Sequence, residues 1–175
     1  DTVATKDGIV NTSDVEQFEE DFEEYLRKHG VYVRGQSTSQ KISESVMESN
    51  LLKKLKKSTK LRKYLSIDTR DFDNQYTLHC GIPDIVPLDE DTRKITNCVF
   101  ELKKSGKESL WKASVQGMSY ALEAEVETVL LVSLFEPSEF PSDLRKKLDI
   151  ISQKLLKAGI VLNFRYEQYQ YLMKL

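Results

Sequence analysis

The sequence is poor in the residues that build several common kinds of functional site. It has two cysteines, which by themselves make neither a four-ligand zinc site nor a four-cysteine iron–sulfur cluster. Two histidines give little support to a His-rich metal site or to a catalytic triad that depends on histidine. No glycine-rich phosphate loop of the P-loop or dinucleotide-binding type is present. These classes of site are therefore not expected.

Long hydrophobic runs are also missing. None approaches the roughly 20 apolar residues that a membrane span requires, and the first dozen residues are too polar for a signal peptide. We therefore expect an intracellular protein with no membrane partner. Cys80 and Cys98 fall in predicted strands, which favours buried free thiols over a disulfide.

What remains is an ordinary globular composition. The 175 residues are 39% hydrophobic and 31% charged, with seven glycines and four prolines. This length and composition predict one domain with a substantial core. Residues 1–12 show no periodicity and are expected to form a flexible arm, so the predicted single domain spans 13–175.

The net charge of −2 conceals two segments of opposite sign. Residues 14–24 hold seven acids and no base. Residues 51–63 hold seven bases and no acid: Lys53, Lys54, Lys56, Lys57, Lys60, Arg62 and Lys63. Such a basic segment is typical of a surface that follows a phosphate backbone, although a solvated helix face has the same composition. The acidic segment would repel nucleic acid and is a candidate surface for a partner protein.

Hydrophobic periodicity predicts four helical segments. Helix 13–29 begins with a capping box at Ser13 and Glu16, and a second helical region covers 39–65, where Ser58 and Thr59 divide it. Later helices are predicted at 109–125, with Trp111, Val115, Met118 and Leu122 on its apolar face, and from Pro141 to Ala158.

Five strands are predicted from short β-rich runs. The first three cover 76–80, 83–88 and 95–102, and the polar turn 89–94 links the last two into an antiparallel hairpin. Residues 128–135 form an apolar run typical of a strand buried on both faces, and 160–164 form the last strand. The predicted order is ααβββαβαβ, an α/β domain.

Charged residues at the end of the third strand form the main candidate site. Alternation places Glu101 and Lys103 on one face of that strand and Phe100 and Leu102 on the other. Hairpin pairing would bring Asp84 within reach of Glu101. Two facing carboxylates suit Mg²⁺ or Mn²⁺, which can activate a water for phosphodiester hydrolysis, and a lysine beside the ion can orient that water.

These residues carry a resemblance. Pro83-Asp84, sixteen intervening residues and then Glu101-Leu102-Lys103 resemble the signature of the PD-(D/E)xK nuclease superfamily. The resemblance implies a restriction-endonuclease-like core over about 39–135, with a mixed central sheet flanked by helices. It implies Asp84, Glu101 and the Leu102 carbonyl as metal ligands and Lys103 as the catalytic lysine.

A second motif lies in the helix after the third strand. Gln116 and Tyr120 are similar to the Gln-x-x-x-Tyr motif of the exonuclease-like branch, which implies catalytic roles for both. At i and i+4 they share one helix face, and Lys112 lies one turn earlier as a candidate nucleic-acid contact. Many superfamily members also place a glutamate on the helix before the first strand. Glu44 and Glu48 are the candidates here, with Glu48 slightly favoured and Glu20 weaker.

The sequence therefore predicts a Mg²⁺- or Mn²⁺-dependent nuclease that hydrolyses phosphodiester bonds, with DNA favoured over RNA by the resemblance alone. Two alternatives remain open at this point. One is a catalytically inactive binding module on the same fold, and the other is a nuclease toxin or effector domain that an inhibitory protein neutralises.

Overall fold

The structure is a computed structural model that describes residues 43–104, 106–136, 138 and 140–175. The predicted arm 1–12, the helix 13–29 and Glu20 lie outside the described residues. In chain order the elements are α1 (Glu44–Lys57), α2 (Thr59–Tyr64), β1 (Asp71–Asp73), β2 (Val86–Leu88), β3 (Cys98–Lys103), α3 (Lys107–Ala124), β4 (Thr128–Ser133), α4 (Ser142–Lys157), β5 (Asn163–Gln168) and α5 (Tyr169–Lys174).

A three-stranded parallel sheet forms the centre of the described unit, in the order β3-β4-β5. The strands are in register, with Glu101 opposite Leu131 and Leu131 opposite Tyr166. The middle strand β4 is buried along nearly its whole length, as expected for an apolar strand between two parallel neighbours. Helices α3 and α4 make the two crossover connections that parallel strands require.

A small antiparallel sheet, β1 with β2, lies beside the parallel one. Two isolated antiparallel bridges join this region to β3, between Ile85 and Phe100 and between Leu88 and Ile95. The predicted hairpin between the second and third strands is therefore confirmed. Its turn is held by the Asp89 carboxylate, which accepts hydrogen bonds from the backbone of Asp91 at 3.0 Å and of Thr92 at 2.8 Å.

Serine caps determine where the first two helices begin. The Ser43 hydroxyl accepts from the Val46 N–H at 3.3 Å, and the Ser58 hydroxyl accepts from the Leu61 N–H at 3.1 Å. Ser58 also ends α1, because its N–H bonds to the Lys54 carbonyl. The predicted division at Ser58-Thr59 is therefore confirmed. Met47, Leu51 and Leu55 form the buried stripe of α1.

Three predictions about the elements were wrong. Residues 76–80 form turns rather than a strand, and the short strand β1 lies earlier, at Asp71–Asp73. The last strand begins at Asn163, three residues later than predicted, and α5 follows it. The predicted apolar face of α3 is partly exposed at Val115 and Leu122.

The described part of the chain is a mixed α/β structure, and Ser43–Leu175 form one compact unit. Every helix in it is too short or too polar to span a bilayer. Both cysteines are free, as predicted. Cys98 is buried in β3, but Cys80 is exposed because it lies in a turn rather than in the predicted strand.

Candidate active site

The candidate site lies where the start of the β2 segment meets the end of β3. Because Ile85 bridges to Phe100 in antiparallel fashion, Asp84 lies opposite Glu101. Their carboxyl groups interact electrostatically, because, in addition to burial, the negative charge of Asp84 raises the pKa of Glu101. The structure thus brings together the two acids that the sequence motif singles out, which sixteen intervening residues separate in the chain.

Asp84 is fixed in place by the backbone of β3. Its Oδ2 accepts a hydrogen bond from the Leu102 N–H at 2.7 Å. Burial raises the pKa of Asp84, while the Leu102 N–H and the positive charge of Lys103 oppose the rise. Pro83, also buried, precedes it and fixes its own φ. Asp84 is therefore held rigidly at a site that disfavours its charge.

Glu101 is the more strongly perturbed acid. Glu101 is 4% exposed, which is unusual for a residue with a carboxyl group. Burial, followed by the negative charge of Asp84, raises the pKa of Glu101 to about 9. Its Oε1 is buried and has no hydrogen-bond partner in the part of the chain that the structure describes. Glu101 is therefore not part of a solvent-exposed charge pair at the end of the strand.

The close approach of α3 accounts for the burial of Glu101. Gly117 faces the sheet, and a Cβ added there would lie 3.2 Å from Glu101 Cγ and 2.5 Å from a Val129 methyl. Only glycine permits this approach of helix to sheet. The face of β3 that carries Glu101 is thus covered by α3 rather than open to solvent.

The backbone of Leu102 points toward the same site. Its N–H donates to Asp84, and in a strand the C=O of a residue points to the same edge as its N–H. The Leu102 carbonyl therefore faces the Asp84 side of β3 and away from β4. This is the orientation that the predicted role as a carbonyl ligand requires.

Lys103 lies at the edge of the site. Its ammonium is 3.5 Å from Glu44 Oε2, and its side chain is 27% exposed. Glu44 Oε1 also accepts from the Lys104 N–H at 3.1 Å. Glu44, one of the two candidate glutamates, thus connects the first turn of α1 to the end of β3 and holds the lysine beside the carboxyl pair.

Glu48 lies one turn further along α1. Its Oε1 accepts from the Asn74 side-chain amide at 3.0 Å. Burial raises the pKa of Glu48, the Asn74 hydrogen bond opposes this, and the negative charge of Asp84 adds to it. Glu48 and Glu44 therefore both belong to the electrostatic surroundings of Asp84, and which of them serves as a third ligand stays a prediction.

The two residues of the second motif are placed differently. Tyr120 is buried, and its phenol lies against Gly81, where an added Cβ would be 2.7 Å from Tyr120 Oη. Burial raises the pKa of Tyr120, and the nearby charges of Glu101, Cys80 and Asp84 add to it. The phenol thus stays neutral beside the carboxyl pair. Gln116 is exposed and makes no hydrogen bond to any described residue.

The basic segment is divided by the structure. Arg62 is 7% exposed, and its guanidinium donates to the Leu55 carbonyl at 2.7 Å and to the Thr59 hydroxyl at 3.2 Å. Its predicted contact with nucleic acid is corrected to a structural role between α1 and α2. The Lys54 ammonium donates to the Met173 carbonyl. The remaining bases of the set, Lys53, Lys56, Lys57, Lys60 and Lys63, and Lys112 on α3 are exposed.

Sequence reasoning missed several residues that build the site. Gly117 and Asn74 act through packing and through a hydrogen bond, and neither has a pattern of its own. Glu123 at the end of α3 accepts from the N–H groups of His79 at 2.9 Å and Cys80 at 3.0 Å. It thereby fixes the turn that leads to Gly81 and Asp84.

The donor set can be compared with what a hard divalent cation needs. No group of three or more His, Cys, Asp and Glu side chains within the described ranges converges in the manner of a metal site. The Asp84 and Glu101 carboxyl groups do lie opposite each other, and Glu101 Oε1 is buried without a hydrogen-bond partner among the described residues. Oxygen donors of this kind suit Mg²⁺ or Mn²⁺. Asp84, Glu101 and the Leu102 carbonyl therefore fit such an ion.

Comparison of the chain with protein-family models, with curated proteins and with solved structures gives no match.

Proposed function

We propose that the protein is a Mg²⁺- or Mn²⁺-dependent nuclease of the PD-(D/E)xK kind that hydrolyses phosphodiester bonds, with DNA as the substrate. The observation that carries the proposal is the buried Glu101 carboxyl, opposite the half-buried Asp84 and with Lys103 nearby. A buried carboxyl with an unpartnered oxygen is costly for a fold to keep, and a cation bound by the two acids would offset that cost.

The restriction-endonuclease-like fold is part of the same proposal. Its support is the element order, in which a helix precedes three strands, followed by a helix and a further strand. The acids of the motif stand on the two strand segments that the resemblance implies, and they face each other through the Ile85–Phe100 bridge.

In this mechanism Asp84, Glu101 and the Leu102 carbonyl would hold the metal ion. A bound ion would supply a Lewis acid that polarises a phosphoryl oxygen and lowers the pKa of a water. Both acids would ligate as carboxylates, so Glu101 would release its proton to solvent on loading. Lys103, kept in position by Glu44, contributes a positive charge that stabilises the charge developing on the phosphate.

Tyr120 has a supporting part in the mechanism. As a neutral phenol against Gly81, it can donate a hydrogen bond toward the carboxyl pair or the substrate. Gln116 lies one turn away on the same helix, at the exposed end of that stripe, where it can reach a bound substrate. Both roles are extensions of the motif resemblance.

The direct test is a cleavage assay on single- and double-stranded DNA and on RNA, with Mn²⁺, Mg²⁺ or EDTA. Wild type should cut DNA with either metal and be silent in EDTA. Glu101→Gln, Asp84→Asn and Lys103→Met should each lower the rate by about 100-fold or more, because each removes a group that acts on the reacting phosphate.

Glu90→Gln provides the matched control, since Glu90 is an exposed acid in the turn at the far end of the same hairpin. It should cut at the wild-type rate. Cleavage by Glu101→Gln at the level of this control would refute the catalytic assignment. Metal binding without any cleavage would favour the inactive binding module instead.

A further inference from the structure

A groove of about 420 Å³ lies between α1 and α5, separate from the carboxyl site. Its lining consists of Asn50, Lys53, Lys54, Lys57, Ser58 and Met173. Three of these six side chains are lysines, and none is an acid. The groove is thus a concave surface with a concentrated positive charge.

Two of the lysines are available to a ligand. Lys53 and Lys57 are exposed and stand one turn apart on the same flank of α1, where like charges destabilise each other. Neither pairs with a carboxylate in the residues the structure describes. Lys54 is engaged by the Met173 carbonyl, so it forms part of the wall.

The remaining polar groups of the groove are donors with capacity to spare. The Asn50 amide donates to Tyr169 Oη at 3.4 Å, and its second N–H is not used by that bond. The Ser58 hydroxyl accepts from the Leu61 N–H, which leaves its own proton to donate. Two ammonium groups, one amide and one hydroxyl are the partners that a phosphate oxygen takes.

We propose that this groove binds a backbone phosphate of the nucleic acid, away from the bond that is cut. The identity of the ligand rests on the proposed function. The groove thereby becomes a second contact that holds long substrates and not short ones.

The geometry of α1 sets the shortest nucleic acid that can contact both the groove and the carboxyl site. Lys57 is nine residues beyond Glu48, which is roughly 14 Å along the helix axis and about half a turn around it. Across a helix roughly 10 Å wide, the two positions are separated by about 17 Å. In a duplex, one strand carries a phosphate about every 3.4 Å of helix axis, so that distance corresponds to about five phosphates of one strand. A duplex of about four base pairs does not reach both positions.

The test compares Lys53→Gln/Lys57→Gln with Lys154→Gln/Lys157→Gln. The control pair removes two exposed charges from the last turn of α4, away from the groove. Both are made in the Asp84→Asn background so that nothing is cut. Fluorescence anisotropy follows the binding of labelled DNA and RNA duplexes of about 12 base pairs over a range of salt concentrations.

The groove pair should weaken binding at low salt by about 10-fold or more and reduce the slope of log K against log salt by about two. The control pair should leave that slope nearly unchanged, and a short competitor hairpin with a stem of about four base pairs should bind both proteins equally. Equal slopes for both pairs, or the same loss with the short competitor, would overturn the proposal.

If the Lys53→Gln/Lys57→Gln variant loses affinity for DNA alone or for RNA alone, the groove is assigned to that nucleic acid. The outcome is independent of catalysis. If wild type cuts no substrate and the groove pair still lowers the salt slope, the nuclease assignment fails and the groove stands. If wild type cuts and the Lys53→Gln/Lys57→Gln variant binds as the control does, the nuclease assignment stands and the groove proposal fails.

Discussion

Glu101 shows how a single residue can work against the stability of the fold that holds it. Burial raises the pKa of Glu101 from 4.5 to about 9. Between about pH 4.5 and pH 9 the folded protein therefore keeps a proton that the unfolded chain has released. The free energy of unfolding accordingly falls as the pH rises through this window.

Glu101→Gln should remove most of this dependence, because the amide mimics the protonated acid at every pH. In metal-free protein near pH 8 the variant should be more stable than wild type by about 1 kcal/mol or more, and the difference should shrink toward pH 5. Denaturant unfolding in EDTA at several pH values measures this difference. The exposed Glu90→Gln should follow wild type, and a Glu101→Gln curve parallel to wild type would contradict the explanation.

At the scale of elements, the docking of α3 on the sheet determines the site. Gly117 stands in the middle of that helix, where glycine is normally unfavourable by roughly 1 kcal/mol relative to alanine. A Cβ added to Gly117 would lie only 2.5 Å from a Val129 methyl, which is a steric clash. Gly117 therefore lowers the intrinsic stability of α3 but allows the helix to pack closely against the strands.

Gly117→Ala should accordingly destabilise the protein by about 1–3 kcal/mol, although the same change at an exposed helical position would stabilise it. Cleavage should fall as well, since the helix can move off the strand that carries Glu101. Thermal or denaturant unfolding gives the sign directly. Ser119→Ala, two residues along the same helix, should change stability by less than about 0.5 kcal/mol. A stabilising Gly117→Ala would show that the helix is not tightly docked.

How well the elements could be predicted depends on what covers them. Strands β3 and β4 and helix α4 were predicted closely, since their apolar residues recur with the period of the element. The face of α3 was predicted wrongly because Ala113, Gly117 and Ala121 form its contact with the sheet, together with Leu110 and Tyr120. Small residues carry little weight in a hydrophobic pattern, so the larger, half-exposed residues dominated it.

The last strand illustrates a second reason. The predicted run contains Ile160 and Val161, which are 40% and 42% exposed. The strand itself carries Arg165 and Glu167, which pair at 2.8 Å, and Glu167 also accepts from the Tyr64 hydroxyl at 3.1 Å. The partners of charged residues such as Arg165 and Glu167 become visible only in the folded structure. From the sequence alone, these charges look the same as those of a solvated turn. The positions of the acids and the lysine of the candidate site were easier to predict. Strand alternation puts Glu101 and Lys103 on one face, and hairpin pairing brings Asp84 opposite Glu101.

At the scale of the whole molecule, metal loading should change stability as well as activity. A ligand that binds only the folded state at about 100 times its Kd stabilises it by about 2.7 kcal/mol. Mn²⁺ should therefore raise the Tm by roughly 5–10 °C, and EDTA should reverse the shift. Differential scanning calorimetry measures it, and Asp84→Asn/Glu101→Gln should show almost none of it. An equal shift in that double variant would place the ion elsewhere.

The two free cysteines have a practical consequence for such measurements. Cys98 is 3% exposed, and burial raises the pKa of its thiol to about 12, so it is closed to alkylating reagents. Cys80 is exposed and precedes Asp84 by four residues. A maleimide spin label or fluorophore should therefore attach to the unmodified protein at one position, next to the turn against Tyr120. Paramagnetic broadening or quenching by Mn²⁺ would then report occupancy of the site without any substitution.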